Sequence, residues 1–210
     1  MSQLALFDLS VPLLDSERGK VTYQAGFVAP DIAAHWFAAL REGIAWKASR
    51  RMMYEREVDV PRVTAHFRLD PSGLADASAP AAIVDVLRAA AVRVRAAVDA
   101  PFNSIGVNHY RDGNDSVAPH HDTLRDLVVG EPIALLSLGA TRRMAIRSQA
   151  KGSAQRAIAI ELVAGSLLVM SHSSQLHYLH GIAKTRAPVG PRISLALRVR
   201  PESPKPVAAA

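Results

Sequence analysis

The sequence predicts an α+β fold in which helices pack on one face of a two-sheet β-barrel. Two amphipathic helical stretches come first, and from Phe102 onward the texture changes to short β-type runs separated by turn residues. Helices followed by a meander of strands place the helices on one side of a largely antiparallel sheet. At 210 residues, with 49% hydrophobic and 21% charged residues, the chain is long enough for one domain with a substantial core.

Residues 1–20 read as an extended arm, residues 21–200 as a single domain, and Pro201–Ala210, with three prolines, as a flexible tail. Asp31–Arg41 carries a helix start and sets Ile32, Trp36, Phe37 and Leu40 at helical spacing. A second helix runs from about Pro80 to Val98. Ser78 is its candidate cap, Pro80 sits in the first turn, and Ile83, Leu87, Ala90, Val94 and Val98 share one face. Arg88, Arg93 and Arg95 lie off that stripe and read as solvated surface. The runs NSIGVNHY, PIALLSLG, RRMAIRS, AIAIELV, GSLLVMS and RISLALRV read as strands, joined by the turns RDGND, VVGEP, QAKGS and VAGS.

There are no cysteines, which removes disulfides, thiolate zinc sites, iron–sulfur clusters and cysteine nucleophiles and leaves His, Asp and Glu as metal ligands. The formal charge of +6 and a pI near 10.1 suit an acidic partner, although many small basic proteins have none. No apolar run reaches the ~20 residues needed to span a bilayer. The opening MSQLALFDLSVPLL lacks a basic n-region and is interrupted by Asp8, so it makes a poor signal peptide and a cytoplasmic location is the default expectation.

His120 and Asp122 are separated by one residue, and on an extended segment both project to the same side, while His121 points the other way. A third ligand must come from elsewhere, and SSQLHYLHGI offers His177 and His180. Two histidines and one carboxylate on one face of a metal suit a non-haem Fe(II) oxygenase, with zinc or a purely structural cluster as alternatives. The strand PRISLALRVR sets Arg192, Ser194, Ala196 and Arg198 on one face against Ile193, Leu195 and Leu197 on the other. Arginines turned inward from an apolar strand need an anionic partner, such as a dicarboxylate held bidentately; turned outward, they are only solvated. Along a flat strand their Cα atoms sit ~20 Å apart, so serving one small ligand requires curvature and converging side chains. On VNHY the same alternation pairs Asn108 with Tyr110 and turns His109 to the opposite side.

The order and spacing of Asn108-x-Tyr110, RDGND, His120-x-Asp122, PIALLSLGATRRMAIR, LVAGSLLVMS, His180 and Arg192-x5-Arg198 resemble those of the AlkB-like Fe(II)/2-oxoglutarate dioxygenases, nearest the branch that repairs alkylated bases in duplex DNA. The resemblance covers Phe102 to Arg198 and extends weakly back through PRVTAHF to Trp46. It implies a double-stranded β-helix, a jelly-roll relative, with His120, Asp122 and His180 as iron ligands in preference to His177. It further implies that Arg192 salt-bridges the distal carboxylate of 2-oxoglutarate, with Arg198 near the keto-acid end, Asn108 and Tyr110 as a hydrogen-bonding pair, and Ser194 in the same pocket. The implied reaction consumes O2 and 2-oxoglutarate, hydroxylates an N-alkyl group, and releases formaldehyde, succinate and CO2.

A base inside a duplex must be flipped out to reach such a site. The segment RRMMYEREVDVPR resembles the family's DNA-probing hairpin, with Met53 and Tyr54 near its wedge positions and Arg50, Arg51, Arg56 and Arg62 available to phosphates. Arg142, Arg143, Arg147, Lys151 and Arg156 form a second candidate phosphate surface. Either group also reads as ordinary solvated charge.

Three departures bear on substrate. The residue two beyond the metal aspartate, acidic in base-repairing members, is Leu124; the aromatic lid segment is replaced by RLDPSGLADASAP, which leaves His66 and Phe67 as the nearest aromatics to flank a base; and Ser194 and Ala196 stand where Asn and Thr are commoner. QLALF, with Gln3, Leu4, Leu6 and Phe7, resembles the peptide by which bacterial repair proteins bind the sliding clamp. The expected protein is thus a monomeric Fe(II)/2-oxoglutarate-dependent demethylase of DNA, with RNA as a further candidate substrate. The same chemistry on a protein side chain or small molecule, and a non-catalytic nucleic-acid or clamp adaptor, are the alternatives.

Overall fold

The structure, a computed structural model, describes residues 10–53, 56–69, 79–150 and 155–201, with side chains throughout except at 49, 51–53 and 56–59. The chain runs β1 (Val11–Ser16), β2 (Gly19–Gln24), α1 (Pro30–Gly43), β3 (Lys47–Met53), β4 (Arg56–Arg68), α2 (Ala81–Ala97), β5 (Ser104–Tyr110) and β6 (Val117–His120). A 3₁₀ turn at Leu124–Asp126 leads into β7 (Ile133–Gly139), β8 (Arg142–Ser148), β9 (Ile158–Leu162), β10 (Leu167–Met170), α3 (His172–His177), β11 (Tyr178–Ile182) and β12 (Arg192–Arg198).

The strands form an eight-stranded sheet, ordered β1-β2-β10-β7-β12-β5-β4-β3, facing a four-stranded sheet, β6-β11-β8-β9. Every pairing is antiparallel. This is the jelly-roll arrangement expected from sequence.

Two cores follow from strand alternation. Ile193, Leu195 and Leu197 of β12 point out of the barrel and pack with Val107 against Trp36 and Leu40 of α1 and Ile83, Leu87, Ala90 and Val94 of α2. Leu135, Met144, Ile146, Ile160, Leu168, Tyr178 and Ile182 fill the space between the sheets. At roughly 25 cal/mol per Å² of apolar surface removed from water, burial of these two layers is the main term holding helices to sheet and sheet to sheet. β12 lies between β7 and β5, so its other face, bearing Arg192, Ser194, Ala196 and Arg198, is forced into the barrel interior.

Several expectations need correction. Residues 11–20, expected within the arm, form most of the β1–β2 hairpin, and β2 pairs with β10 in the main sheet. Pro80 is the N-cap of α2 rather than part of its first turn, as its missing N–H and φ of −54° suit it to a helix start; Ser78 lies outside the described residues. Arg93 and Arg95 are not simply solvated: Arg93 donates to Phe27 O at 2.9 Å and stacks on its ring, and Arg95 donates to Phe102 O. Residues 1–9 and 202–210 lie outside the described residues.

Candidate metal centre

β6 and β11 run antiparallel with His120 directly opposite His180, which brings the two imidazole rings to a centroid distance of 4.5 Å. The close approach depends on Gly181, where a Cβ would fall 2.9 Å from Pro119 N. His120 Nδ1 lies 2.9 Å from Ala118 O, and a carbonyl can only accept, so Nδ1 carries the proton and Nε2 presents a lone pair. Nε2 faces Asp122 Oδ1 at 3.8 Å. One ligand atom each from His120, Asp122 and His180 lies within 4.8 Å of the others. His121 is exposed, with Nδ1 2.8 Å from Asp122 O, and takes no part in the group. His177 is exposed in α3, likewise outside it.

The electrostatics suit a cation. Burial alone would raise the Asp122 pKa, but the Arg198 guanidinium outweighs it and holds the carboxyl below its usual range. Arg198 Nε reaches Asp122 Oδ2 at 2.5 Å, with side-chain exposures of 17% and 11%. Burial, reinforced by His120, pushes His180 down to about 4, so its imidazole is neutral. Two imidazole nitrogens and one carboxylate oxygen form the donor set of a facial Fe(II) site, which thus fits the residues present.

A cavity of about 140 Å³ adjoins the cluster, walled on the polar side by Arg62, Asn108, Tyr110, Arg192, Ser194 and Arg198. Ile133, Leu135, Met144 and Ile182 supply the apolar side. Arg192 is fully buried; Nη2 donates to Ser137 Oγ at 2.8 Å, whereas Nε and Nη1 have no partner. Burial lowers its pKa to about 10. A buried cation with unused donors beside a small cavity calls for an anionic ligand. The Tyr110 ring lies 5.3 Å from this guanidinium. Asn108 Oδ1 accepts from Arg62 Nε at 2.9 Å, which fixes the amide and leaves its NH₂ for a ligand. Arg192 and Arg198 therefore serve one cavity, although they stand six positions apart on one strand.

Other expected site residues fall elsewhere. Phe67 is buried in the helix-side core; with exposed His66 it borders a separate cavity beside Ile44 and Ile83, because alternation along β4 turns Phe67 away from the barrel interior. Leu124 is half-buried in the 3₁₀ turn and does not line the cavity of the cluster. Arg142 is no phosphate ligand: it is buried and donates to the carbonyls of Asp112, Asp115 and Ala183, fastening the loop after β5 to the end of β11. Arg143 and Arg147 are exposed on β8, and Arg156 is exposed before β9. Met53 ends β3 with its side chain outside the description, and Tyr54, Lys151, Gln3, Leu4, Leu6 and Phe7 lie outside the described residues. Sequence reasoning missed two polar partners. Ser137 and Gln175 are both buried, Ser137 against Arg192 and Gln175 against the backbone of Asp122; no local motif marks either.

The chain is similar to several known proteins. A family model described as the 2OG-Fe(II) oxygenase superfamily matches residues 20–198. DNA oxidative demethylase ALKBH2 of Bos taurus is 33% identical over 120 residues, 55% of this chain and 43% of that protein. The Homo sapiens ALKBH2 is 35% identical over 102 residues, 46% of this chain and 39% of that protein. Alpha-ketoglutarate-dependent dioxygenase alkB homolog 3 of Mus musculus is 34% identical over 103 residues, 46% of this chain and 36% of that protein. The matched part of the chain thus spans well under half the length of these relatives. A solved structure described as "The structure of OsALKBH1" superposes with a TM-score of 0.55 over 89% of this chain and 100% of that one; at 15% identity the likeness is one of fold.

Proposed function

Because the chain belongs to the 2OG-Fe(II) oxygenase superfamily, we propose that it oxidatively demethylates N-alkylated bases in DNA, and in RNA where the base is accessible, releasing formaldehyde, succinate and CO2. Fe(II) is the metal of this family, with 2-oxoglutarate and O2 as cosubstrates. The observation that carries the reading is the unpaired Arg192 guanidinium in the cavity beside the His120/Asp122/His180 cluster. Similarity to the ALKBH2 and ALKBH3 proteins supports a nucleic-acid substrate.

An Fe(II) ion held there would activate O2, the oxidant, with decarboxylation of 2-oxoglutarate supplying two electrons and the N-alkyl C–H bond the other two; the hydroxylated product would then lose formaldehyde. The chain's residues bind and orient. His120, His180 and Asp122 would hold the metal, and Arg198 pairs with Asp122 Oδ2 and fixes the carboxylate. The Arg192 guanidinium takes the distal carboxylate of 2-oxoglutarate, with Tyr110 and Ser194 beside it and the Asn108 amide aimed by Arg62. Ile133, Leu135 and Ile182 exclude water from the cosubstrate. Orienting two reactants inside one dry cavity is the protein's main contribution to rate.

Nucleic acid is the partner in this reading, met through strands β3 and β4, with Met53 at the end of β3, Tyr54 next in sequence, and Arg62 on β4. The chain acts as a monomeric single domain, and residues Gln3–Phe7 give it a route to a sliding clamp; deletion of residues 1–8 should abolish clamp affinity, and unchanged affinity rules the route out. Single- and double-stranded oligonucleotides carrying N1-methyladenine or N3-methylcytosine, incubated with Fe(II), 2-oxoglutarate and O2, should lose the mass of a methyl group as succinate accumulates. Leu124, apolar at a position acidic in base-repairing members, favours a second reading in which a protein side chain or small molecule is oxidised. Succinate without base repair would select it. No 2-oxoglutarate binding at all would select a non-catalytic adaptor.

A further inference from the structure

The H-x-D spacing gives His120 and Asp122 a common side only while the backbone stays extended, yet the β6 ladder ends at His120. Asp122 lies beyond it, and its backbone N–H has no strand partner. That N–H donates instead to Gln175 Oε1 at 3.1 Å. Gln175 is 1% exposed and sits in α3, five positions before His180 on the same segment. One side chain thus joins the loop carrying two of the cluster residues to the segment carrying the third.

The amide cannot turn over without losing bonds. Ser174 Oγ donates to Ser171 O at 2.7 Å and so accepts from Gln175 Nε2 at 3.2 Å. Nε2 also faces Met170 Sδ at 3.8 Å. With both hydrogens directed there, only Oε1 is left for the Asp122 N–H. α3 itself is clasped from outside, since Gln149 Nε2 donates to Gln175 O at 3.3 Å and Tyr178 O at 3.2 Å.

We propose that Gln175 is a positioning residue for the metal centre: its amide oxygen replaces the missing ladder partner of Asp122 and holds the carboxylate in ligating position before metal arrives. The inference rests on the metal-centre reading, so the test uses cobalt(II) alone with the full chain, followed by visible absorption, alongside the melting temperature of the metal-free protein. Wild type should bind one cobalt(II), and His120→Ala should not; if wild type fails to bind, the metal-centre reading and the proposal both fall. Gln175→Leu should weaken cobalt affinity about tenfold, the worth of roughly one net hydrogen bond. Ser174→Ala frees the amide to turn and should weaken affinity at least threefold. A purely structural Gln175 would lower the metal-free melting temperature and leave cobalt affinity unchanged. Gln175→Leu binding within twofold of wild type therefore overturns the proposal while leaving the metal centre intact. If Gln175→Leu shows no folded state, Ser174→Ala decides alone: a loss of threefold or more sustains the proposal and a smaller one ends it.

Discussion

Arg198 Nε lies 2.5 Å from Asp122 Oδ2, so the metal-facing carboxylate is neutralised on one oxygen and left open on the other. The pair is nearly enclosed, and removing the cation strands a buried charge. Arg198→Met should cost the metal-free protein about 3–5 kcal/mol. Asp122→Asn in that background should cost less than in wild type, giving a coupling of about 1–3 kcal/mol in a double-mutant cycle read by urea denaturation. Strictly additive costs would mean that the two groups do not stabilise each other.

Arg192 predicts the opposite pattern. Two nitrogens of its buried guanidinium, Nε and Nη1, have no hydrogen-bond partner, a cost that ligand relieves. Arg192→Met should leave the melting temperature in buffer unchanged or higher and abolish the rise that 2-oxoglutarate gives wild type. A ligand-induced rise of wild-type size in the variant would remove Arg192 from the anion site.

The two adjacent histidines separate cleanly. His120→Ala removes a member of the cluster and should reduce metal affinity and turnover by more than about a hundredfold, the upper end of what losing an outer partner costs. His121→Ala, at an exposed ring turned to the Asp122 carbonyl, should retain most activity in the succinate assay. Equal loss in both variants would contradict the arrangement.

His109 packs 4.9 Å from Trp46 on the helix-facing side, and neither of its nitrogens is hydrogen-bonded. Burial first, then Arg41, holds its pKa below the ordinary 6.5. As pH falls through 6.5 the unfolded chain gains a proton that the folded chain resists, so this group costs stability on the acid side and nothing above it. His109→Phe should therefore lose less melting temperature than wild type between about pH 7.5 and about pH 5. Equal losses would show that His109 titrates alike in the folded and unfolded chains.

β5, β7, β8 and β12 were legible because each is an apolar or alternating run flanked by turn residues; β12 packs a different layer on each face, whereas β8 alternates buried and exposed positions. The β1–β2 hairpin was hidden by Pro12 and by the polar run at Asp15–Lys20, and β6 by its four-residue length and Pro119. Arg142 defeated a charge-based reading, since its burial is offset by three carbonyls from two distant parts of the chain. His120, Asp122, Arg192 and Arg198 were legible because alternation and motif spacing act locally. Gln175 was not: it meets Asp122 across 53 positions, and only the fold brings them together.

The position of β12 bears on how the molecule is assembled in time. It is the last strand among the described residues, yet it fills the gap between β7 and β5 near the middle of the larger sheet. During synthesis those two strands have no partner along their facing edges until Arg198 leaves the ribosome. The smaller sheet, with β6 and β11 carrying both histidines of the cluster, is complete in sequence earlier. Its halves can pair first, leaving the anion-binding strand to close the barrel as a late, long-range step, the kind that slows folding and lengthens exposure of bare strand edges.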